Sequence, residues 1–551
     1  MNETLSAYVP SLALHEVAPF GLLVAAIVVL LVLDAVLKPE GRVRVLTAFT
    51  AVVLVLTGVI FGADTLRTGG EPFFEGALKA DQFGRLGAVV ICIGALAYVV
   101  LAPRLVRERR LPAGELYALL LFTVLGLAML CVANELVTAF ICIEIVSLSL
   151  YVMVGMDRRS RRAGEAAFKY FLLGAFASAF LVLGIAFLFG ATGTTQLHGS
   201  ADAWGSPTYS QGIAQVLASG ERLVAVSIPA SEAIATGGSG TNIVVREGRS
   251  YVVEPINPVW VYLGFSLLFV GMCFKLSFAP FHMWAPDVYE GAATITTMYI
   301  ATASKVGVFA FLMHAIQALG AWSLFPQAAG GLLGAVAILS MVWGNLGALV
   351  QANIKRMLAY SSIAHGGYML VGVSTLLTPR VLGDAEATAF IRDSILFYLF
   401  AYTITNIVAF GIAAHLGRAG EGDMAAYRGL GKRRPGVAFS MTVAMVSLMG
   451  LGIPGTIGFW GKWFLFKEAI SSGLFVIAVT AMVTSAISAF YYLRLVVTMY
   501  MREAEEGKPA AGEGAAPPLG SRLVIGLATA AIVLFGLLPG MFLAIGGRLP
   551  A

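Results

Sequence analysis

Four ionisable side chains stand in the middle of apolar stretches that would normally exclude charge. Glu144 lies in "TAFICIEIVSLSLYVMVG", Lys275 in "FKLSFAPFHMW", Lys305 in "MYIATASKVGVFAFLMH" and Lys462 in "GTIGFWGKWFLFKEAI". Burial disfavours the charge of a lysine, and a nearby carboxylate restores it. A carboxylate that changes its partner can therefore make a lysine take up or release a proton. These residue types indicate proton transfer rather than the binding of a metal cation.

Two histidines could carry protons between the lysines, because imidazole changes its charge near neutral pH. His365 lies in "NIKRMLAYSSIAHGGYMLVG", and His282 follows Pro280 by two residues. Pro280 and Pro454 are predicted to interrupt their helices, which frees backbone carbonyls and leaves room for water. The combination predicts a lateral wire of lysine, histidine and water within the membrane.

Each of these residues also has a purely structural interpretation. Glu144 and Lys275 could form only an ion pair between two helices. Lys462 could extend its ammonium group to an interface, and His282 could only hydrogen-bond a loop. The sequence leaves both interpretations open.

The elements that must position these residues are membrane-spanning helices. The chain has 551 residues, of which 58% are hydrophobic and 12% are charged, whereas soluble domains carry about a quarter charged residues. Apolar runs of the length needed to cross a bilayer recur along almost the whole sequence. They predict an all-α polytopic membrane protein with about fourteen spans, which begin near residues 17, 42, 84, 113, 134, 165, 258, 292, 328, 356, 390, 437, 473 and 520.

Basic residues predict the orientation of the spans. Lys and Arg concentrate in the loops after odd-numbered spans, for example in the segments 104–110, 158–162 and 428–434. Because cytoplasmic loops are enriched in Lys and Arg, both termini are predicted to face the outer side. The loop of residues 193–257 is then also outside. Its stretch "NIVVREGRSYVVEP" predicts a hairpin turning at Glu247-Gly248 within a small β-rich cap.

A weak internal repeat suggests how the chain is divided. Span five ends "SLYVMVG" and span ten ends "GGYMLVG". Each is followed, two spans later, by a span with a proline and a nearby lysine: Pro280 with Lys275, and Pro454 with Lys462. Because spans five and ten start on opposite sides, we expect two inverted five-helix repeats with broken helices seven and twelve. The predicted regions are 1–112 (three N-terminal helices), 113–316 (first repeat, with the insertion 193–257), 328–500 (second repeat) and 501–551 (inner loop and last span).

The motifs around these residues resemble one protein family. "KLSFAPFHMWAPDVYEGA", "ATASKVGVF", "NIKRMLAYSSIAHGGYMLVG" and "GIPGTIGFWGKWFLF" are similar to the antiporter-like membrane subunits of respiratory complex I, the NADH–quinone oxidoreductase. The resemblance extends from Leu116 to Tyr500. It implies a fourteen-helix fold in which Glu144 tunes Lys275, Lys305 is the linking lysine of span eight, and Lys462 is the lysine of span twelve.

A lysine in span twelve resembles the N-type subunits of this family, because M-type subunits usually have a glutamate there. The L-type subunits carry a long C-terminal lateral helix, for which the sequence after span fourteen has no counterpart. The loop 193–257 is longer than the family pattern predicts. This departure concerns the contacts of the outer surface and not the core.

The resemblance implies a location in the bacterial inner membrane, next to other antiporter-like and small membrane subunits of complex I. NADH, FMN, iron–sulfur clusters and quinone are expected in other subunits, because the sequence has no flavin motif, cysteine cluster or nucleotide loop. No cofactor, metal or nucleic acid is expected in this chain. Two alternatives remain: a subunit of a multi-subunit cation/proton antiporter, which shares the fold, and a scaffold that pumps nothing. Sodium transport would favour more intramembrane acids, and a scaffold would not need lysines that cost roughly 2.5–3.5 kcal/mol each to insert.

Overall fold

The computed structural model describes residues 14–65, 72–199, 212–226, 243–246, 249–320, 325–416, 422–450, 455–503 and 518–545. Within these ranges, twelve helices are long and apolar enough to cross a membrane. This confirms the prediction of a helical, multi-pass membrane protein. The helices are α1 (Leu14–Val36), α2 (Pro39–Asp64), α3 (Gln82–Arg109), α4 (Ala113–Cys131), α5 (Leu136–Gly155), α6 (Arg161–Thr192), α7 (Ile213–Ser219), α8 (Pro258–Leu276), α9 (Trp284–Gly291), α10 (Thr294–Ala301), α11 (Ala303–Leu319), α12 (Phe325–Leu349), α13 (Ile354–Thr375), α14 (Ala385–His415), α15 (Leu430–Arg433), α16 (Pro435–Met449), α17 (Ile457–Ser471), α18 (Phe475–Met501), α19 (Leu519–Leu537) and α20 (Gly540–Ile545).

Two of the predicted spans are not among the twelve. The tenth corresponds to α13, which is 22 residues long but is made less apolar by its serines, its glycines and His365. The twelfth corresponds to two shorter helices, α16 and α17. The count of fourteen spans therefore stays a prediction, as does the inverted repeat.

Burial separates the centre of the bundle from its lipid-facing rim. The most apolar part of α14 is completely buried, and the paired helices α10 and α11 are nearly so. By contrast, α2, α6 and α19 bury only about a third of their apolar stretch. Exposed apolar side chains such as Phe168 and Phe176 on α6 are typical of a surface solvated by lipid.

Span seven is interrupted as predicted. Its first half, α8, ends at Leu276, and its second half, α9, begins at Trp284. Pro280 lies in the intervening segment, where the missing N–H and the ring of proline prevent a regular helix. The halves are tied together because Trp284 Nε1 donates a 2.8 Å hydrogen bond to the Phe274 carbonyl. Asp287 and Glu290 lie in the helix α9, with Glu290 in its last turn.

Span twelve is divided between α16 and α17. Helix α16 ends at Met449 and is followed by Gly450, whose φ of +61° is a left-handed conformation that favours glycine. Pro454, the predicted cause of the break, lies outside the described residues.

Span eight contains a break that the sequence did not predict. Helices α10 and α11 are separated at Thr302, whose backbone leaves the helical region at φ −106° and ψ −81°. The Thr302 hydroxyl donates to the Met298 carbonyl at 2.8 Å, so a side chain competes with the backbone for this acceptor. Lys305 consequently stands in the first turn of α11.

The insertion after α6 contains more structure than the predicted hairpin. Strands β1 (Pro72–Phe73) and β2 (Leu78–Lys79) form a small ribbon earlier in the chain. In the insertion, β3 (Glu221–Val226), β4 (Ile243–Arg246) and β5 (Arg249–Pro255) form an antiparallel sheet in the order β3-β5-β4. Strands β4 and β5 are the predicted hairpin, with Arg246 opposite Arg249. Its turn residues, Glu247 and Gly248, lie outside the described residues.

Candidate functional site

Glu144 and Lys275 lie close together between α5 and α8. The Lys275 ammonium group is 3.9 Å from Glu144 Oε1, which meets the distance required for strong coupling of opposite charges. Lys275 donates to Ser147 Oγ at 2.6 Å and lies 3.4 Å from the Tyr151 hydroxyl. The Lys275 side chain is 8% exposed and that of Glu144 is 28% exposed. The two ends of the predicted pair therefore differ in how far they are removed from the molecular surface.

Lys305 is buried at the break of span eight. Its ammonium group donates to the Ser362 carbonyl of α13 at 2.6 Å and lies 5.7 Å from the centre of the Tyr402 ring. Ser362 is linked in turn to Tyr289, with 3.2 Å between their hydroxyl oxygens. A carbonyl and an aromatic face are both attractive to a cation, but neither carries a full negative charge.

His365 is enclosed by tyrosines. Its Nδ1 lies 2.9 Å from the Tyr398 hydroxyl and its Nε2 lies 3.1 Å from the Tyr492 hydroxyl. The Tyr492 hydroxyl also hydrogen-bonds Ser361. A neutral imidazole has one donor and one acceptor nitrogen, so both can be satisfied by these hydroxyls, and the ring is held in a fixed orientation.

Lys462 binds the end of the first half of span twelve. Its ammonium group donates to the carbonyls of Leu448 and Met449 at 3.1 and 2.8 Å, and to Ser485 Oγ at 2.7 Å. It also lies 4.6 Å from the centre of the Tyr368 ring. Because the last carbonyls of a helix carry partial negative charge, they form a favourable site for a cation. Lys462 is 2% exposed, so the alternative in which it extends to an interface is wrong.

Aromatic rings connect three of the predicted residues into one group. Tyr402 contacts both Lys305 and His365, and its ring centre is 5.1 Å from that of His365. Tyr368 contacts both Lys462 and His365, with 5.7 Å between the two ring centres. The structure thus brings Lys305, His365 and Lys462 together around tyrosines that were not predicted as site residues. The sequence contained an indication of Tyr368, because Tyr368 and Tyr151 occupy the same position in the repeated stretches "GGYMLVG" and "SLYVMVG".

The segment that interrupts span seven packs against α13 at Gly366, close to Lys305. A Cβ atom at Gly366 would be 2.8 Å from Phe278 Cε1 and 3.6 Å from Lys305 Nζ. Phe278, in this segment, therefore packs against Gly366 of α13, a glycine that Lys305 also approaches. The hydrogen bonds formed by the described residues do not join Lys275 to Lys305.

His282 is separate from this group. It is buried and its ring packs against the ring of Trp343, with 5.5 Å between the centres. Its Nδ1 has no hydrogen-bond partner among the described residues. Pro280 is close in sequence but its side chain is exposed. The structure does not bring His282 to any of the predicted lysines, and its role as a proton carrier stays a prediction.

A cluster of ion pairs holds the second half of span seven. Asp287 pairs with Lys169 of α6 at 2.7 Å and with Arg356 of α13 at 2.8 Å. Glu290 pairs with the same Arg356 at 3.0 Å. These bonds anchor α9 to two neighbouring helices. Among the described residues, no group of three or more His, Cys, Asp or Glu side chains could hold a metal ion.

Comparison with known proteins identifies related chains. Residues 133–234 and 242–488 match the family model described as "NADH:quinone oxidoreductase/Mrp antiporter, TM". The chain is 37% identical over 517 residues to NADH-quinone oxidoreductase subunit N of Myxococcus xanthus, covering 90% of this chain and 89% of the relative. It is 36% identical over 523 residues to subunit N 1 of Sorangium cellulosum, covering 93% and 91% of the two chains.

Solved structures of similar fold come from two kinds of complex. A chain of respiratory complex I from Thermus thermophilus with bound aureothin has a TM-score of 0.71 and 31% identity, and the match covers 96% of this chain and 98% of that one. A chain of the Mrp complex from Dietzia has a TM-score of 0.74 over 97% of both chains. Its identity is only 18%, so this likeness concerns the fold alone.

Proposed function

The chain belongs to the NADH:quinone oxidoreductase/Mrp antiporter membrane family, and from this premise we propose that it is a proton-translocating subunit of a redox-driven NADH–quinone oxidoreductase. Its relatives at 37% and 36% identity are named subunit N of that enzyme. Other subunits would hold NADH, flavin, iron–sulfur clusters and quinone. This chain would contribute proton transfer and contacts to neighbouring membrane subunits.

The observation that carries the proposal is the burial of three lysines whose charges face polar groups inside the bundle. Lys275, Lys305 and Lys462 have partners on α5, α13 and the end of α16, respectively. Since an ionisable group costs several kcal/mol in a membrane interior, such groups are usually functional. A subunit that served only as a scaffold could carry apolar side chains at these three positions.

We assign the roles as follows. Glu144 tunes Lys275, which takes up or releases a proton as the ion pair tightens or loosens. Lys305 receives the proton and His365 passes it between Lys305 and Lys462, with Tyr398 and Tyr492 orienting the imidazole ring. The backbone break beside Pro280 leaves carbonyls and room for water along the route, and the proposal assigns the same effect to Pro454 in span twelve. The division into two inverted repeats is part of this proposal.

We further propose that the protein lies in a bacterial inner membrane with both termini on the outer face. The support is the distribution of Lys and Arg, which favours the loops after odd-numbered spans. Cysteine substitutions in the segments 1–13 and 158–162, labelled from either side of intact membranes, would test this orientation.

The function is tested in vesicles that contain the assembled complex in a sodium-free buffer. NADH oxidation by quinone should drive proton transport, read with a pH-sensitive dye. Lys305→Ala in this chain alone should lower the number of protons transported per NADH in a complex of normal subunit composition. An unchanged ratio in the variant would contradict the proposal, and transport that strictly requires sodium would favour the cation/proton antiporter alternative.

A further inference from the structure

The Glu144–Lys275 pair is held apart by two serine hydroxyls. A direct hydrogen bond between an ammonium group and a carboxylate is about 2.7–2.9 Å long, whereas these groups are 3.9 Å apart. The nearest partner of Lys275 is Ser147 Oγ at 2.6 Å, and Glu144 Oε1 accepts a bond from Ser178 Oγ at 2.5 Å. Each charge therefore has a hydroxyl closer to it than the opposite charge.

The two hydroxyls differ in what they offer. The Ser147 hydroxyl donates its own proton to the Ile143 carbonyl at 2.6 Å, so it presents a lone pair to Lys275. The Ser178 hydroxyl donates to Glu144 and lies 3.1 Å from the Gly174 carbonyl. Ser147 therefore acts as an acceptor for the lysine, and Ser178 acts as a donor to the carboxylate.

Helix α6 also fixes the second hydroxyl that contacts Lys275. A Cβ atom at Gly174 would lie 1.8 Å from the Tyr151 hydroxyl oxygen, so only glycine leaves room for it. Gly174 and Ser178 are four residues apart and therefore lie on the same face of α6. One face of α6 thus positions both Tyr151 and Glu144 relative to the lysine on α8.

We propose that Ser178 is a positioning residue that competes with Lys275 for Glu144 and thereby keeps the ion pair loose enough for proton release. This inference rests on the proposed function. Without the Ser178 hydroxyl, the closest donor left to Glu144 Oε1 among the described residues is the Lys275 ammonium group. The carboxylate then closes onto the lysine, which holds its proton more tightly.

The charged and titratable groups around Lys275 make this effect specific. Glu144 and Tyr151 face it from α5, and Tyr170 of α6 contacts the edge of Tyr151 with 4.7 Å between ring centres. Lys305, on the neighbouring α11, is turned toward Ser362. Glu144 is therefore the acidic group through which Ser178 acts.

The test uses the assembled complex in vesicles, with quinone-reductase turnover and proton transport measured across neutral and alkaline pH. Ser178→Ala should lower coupled turnover at neutral pH about ten-fold and move the alkaline limb of the pH profile upward by about one pH unit. Ser178→Thr keeps a hydroxyl and should retain the wild-type profile. Ser394→Ala is the matched control, because the Ser394 hydroxyl donates to the carbonyl of Phe390 in its own helix.

A second measurement separates positioning from a general structural effect. In a Glu144→Gln background, Ser178→Ala should cause no further loss of residual turnover, because its effect passes through the carboxylate. A full additional loss in that background, or an unchanged pH profile for Ser178→Ala alone, would overturn the inference. If Lys275→Ala also pumps normally, the proposed function fails as well; if Lys275→Ala is inactive, only the role of Ser178 is wrong.

Discussion

Lys275 lies in the last turn before the break of span seven and Lys462 lies in the helix after the break of span twelve, and the two lysines have different counter-charges. Each lies over a tyrosine of the shared sequence motif, Tyr151 at 5.9 Å and Tyr368 at 4.6 Å from the ring centre. Beside Lys275 stands a carboxylate with a full charge. Lys462 instead donates to two helix-end carbonyls and Ser485, and no ion pair with an acidic side chain is found for it in the described part of the chain.

This difference indicates a division of labour. A carboxylate on a flexible side chain can approach or withdraw, and the proposed function uses this movement to change the proton affinity of Lys275. The carbonyls of Leu448 and Met449 belong to the backbone of α16 and cannot be exchanged without moving that helix. In the proposed function, Lys275 is therefore the switched end of the route, and Lys462 is the end with a fixed environment.

The largest effect is expected from removing the switched lysine. Lys275→Ala should abolish proton transport by this subunit while leaving the complex assembled, because no other ammonium group faces Glu144 in the described structure. Lys275→Arg should fail as well, since arginine does not release its proton at accessible pH. Full redox-coupled proton transport in vesicles containing Lys275→Ala would show that Lys275 is not the switched lysine, and the proposed difference between Lys275 and Lys462 would be wrong.

The next largest effect tests whether the carboxylate makes the difference. Glu144→Gln converts the Lys275 end into one without a counter-charge, and turnover should fall at least about ten-fold, the scale of a lost charged contact of 1.4 kcal/mol. Glu144→Asp should retain part of the activity, because it keeps the charge on a side chain one methylene shorter. Steady-state turnover and proton stoichiometry are the measurements. A Gln variant with wild-type activity would mean that the carboxylate is structural.

A smaller effect is expected at the fixed end. Ser485→Ala removes one of three hydrogen bonds of Lys462 and leaves both carbonyls in place. We expect a decrease in turnover of about two- to five-fold, less than for Glu144→Gln, because the remaining acceptors still stabilise the ammonium group. Thr480→Ala, in the same helix but with an exposed hydroxyl bonded to Val476, is the control. A decrease in turnover as large as that of Glu144→Gln would show that the two remaining carbonyls cannot replace the Ser485 hydroxyl as partners of Lys462.

The sequence predicted those parts of the site in which charge conflicts with an apolar context. Glu144, Lys275, Lys305 and Lys462 stand out for that reason, and the structure places Glu144 Oε1 3.9 Å from the Lys275 ammonium group. Pro280 likewise predicts an interruption that the structure confirms. A charged residue or a proline within an apolar helix carries a large energetic cost, and it can be recognised from the sequence alone.

The remaining parts are combinations of ordinary residues. Tyr398 and Tyr492 look like core aromatics in the sequence, and only tertiary packing brings them to the two nitrogens of His365. Ser178 is one of many small polar residues in the membrane helices of this chain, and its bond to Glu144 appears only in three dimensions. The break at Thr302 accompanies a hydrogen bond from its hydroxyl to the Met298 carbonyl, which the sequence does not reveal. Their roles depend on distance between helices, which spacing along one helix does not give.

The insertion after α6 contains neither Lys275 nor Lys462. Its first residues and its three-stranded sheet differ in how they attach to the helix bundle. The segment after α6 is bonded to the start of α5: Leu136 N–H donates to the Thr195 carbonyl at 2.9 Å, and Leu197 N–H donates to the Asn134 carbonyl at 2.7 Å. The loop 193–257 is therefore not a single separable unit. Its first residues are part of the core attachment of α5, the helix that carries Glu144.

The smallest effect is expected from removing only the three-stranded sheet. Ile256 N–H donates to the Gly220 carbonyl at 3.1 Å, so the two ends of the segment 221–255 are neighbours, and a short Gly/Ser linker can join them. This replacement should leave turnover and proton stoichiometry nearly unchanged, because the sheet contains none of the residues assigned to the route. Replacing all of 193–257 should in contrast lower thermal stability, since backbone bonds at the start of α5 are lost at about 0.5–1.5 kcal/mol each. Loss of pumping in a correctly assembled complex that lacks only 221–255 would show that the sheet takes part in proton transfer, and that the comparison between the two lysine ends omits a functional region.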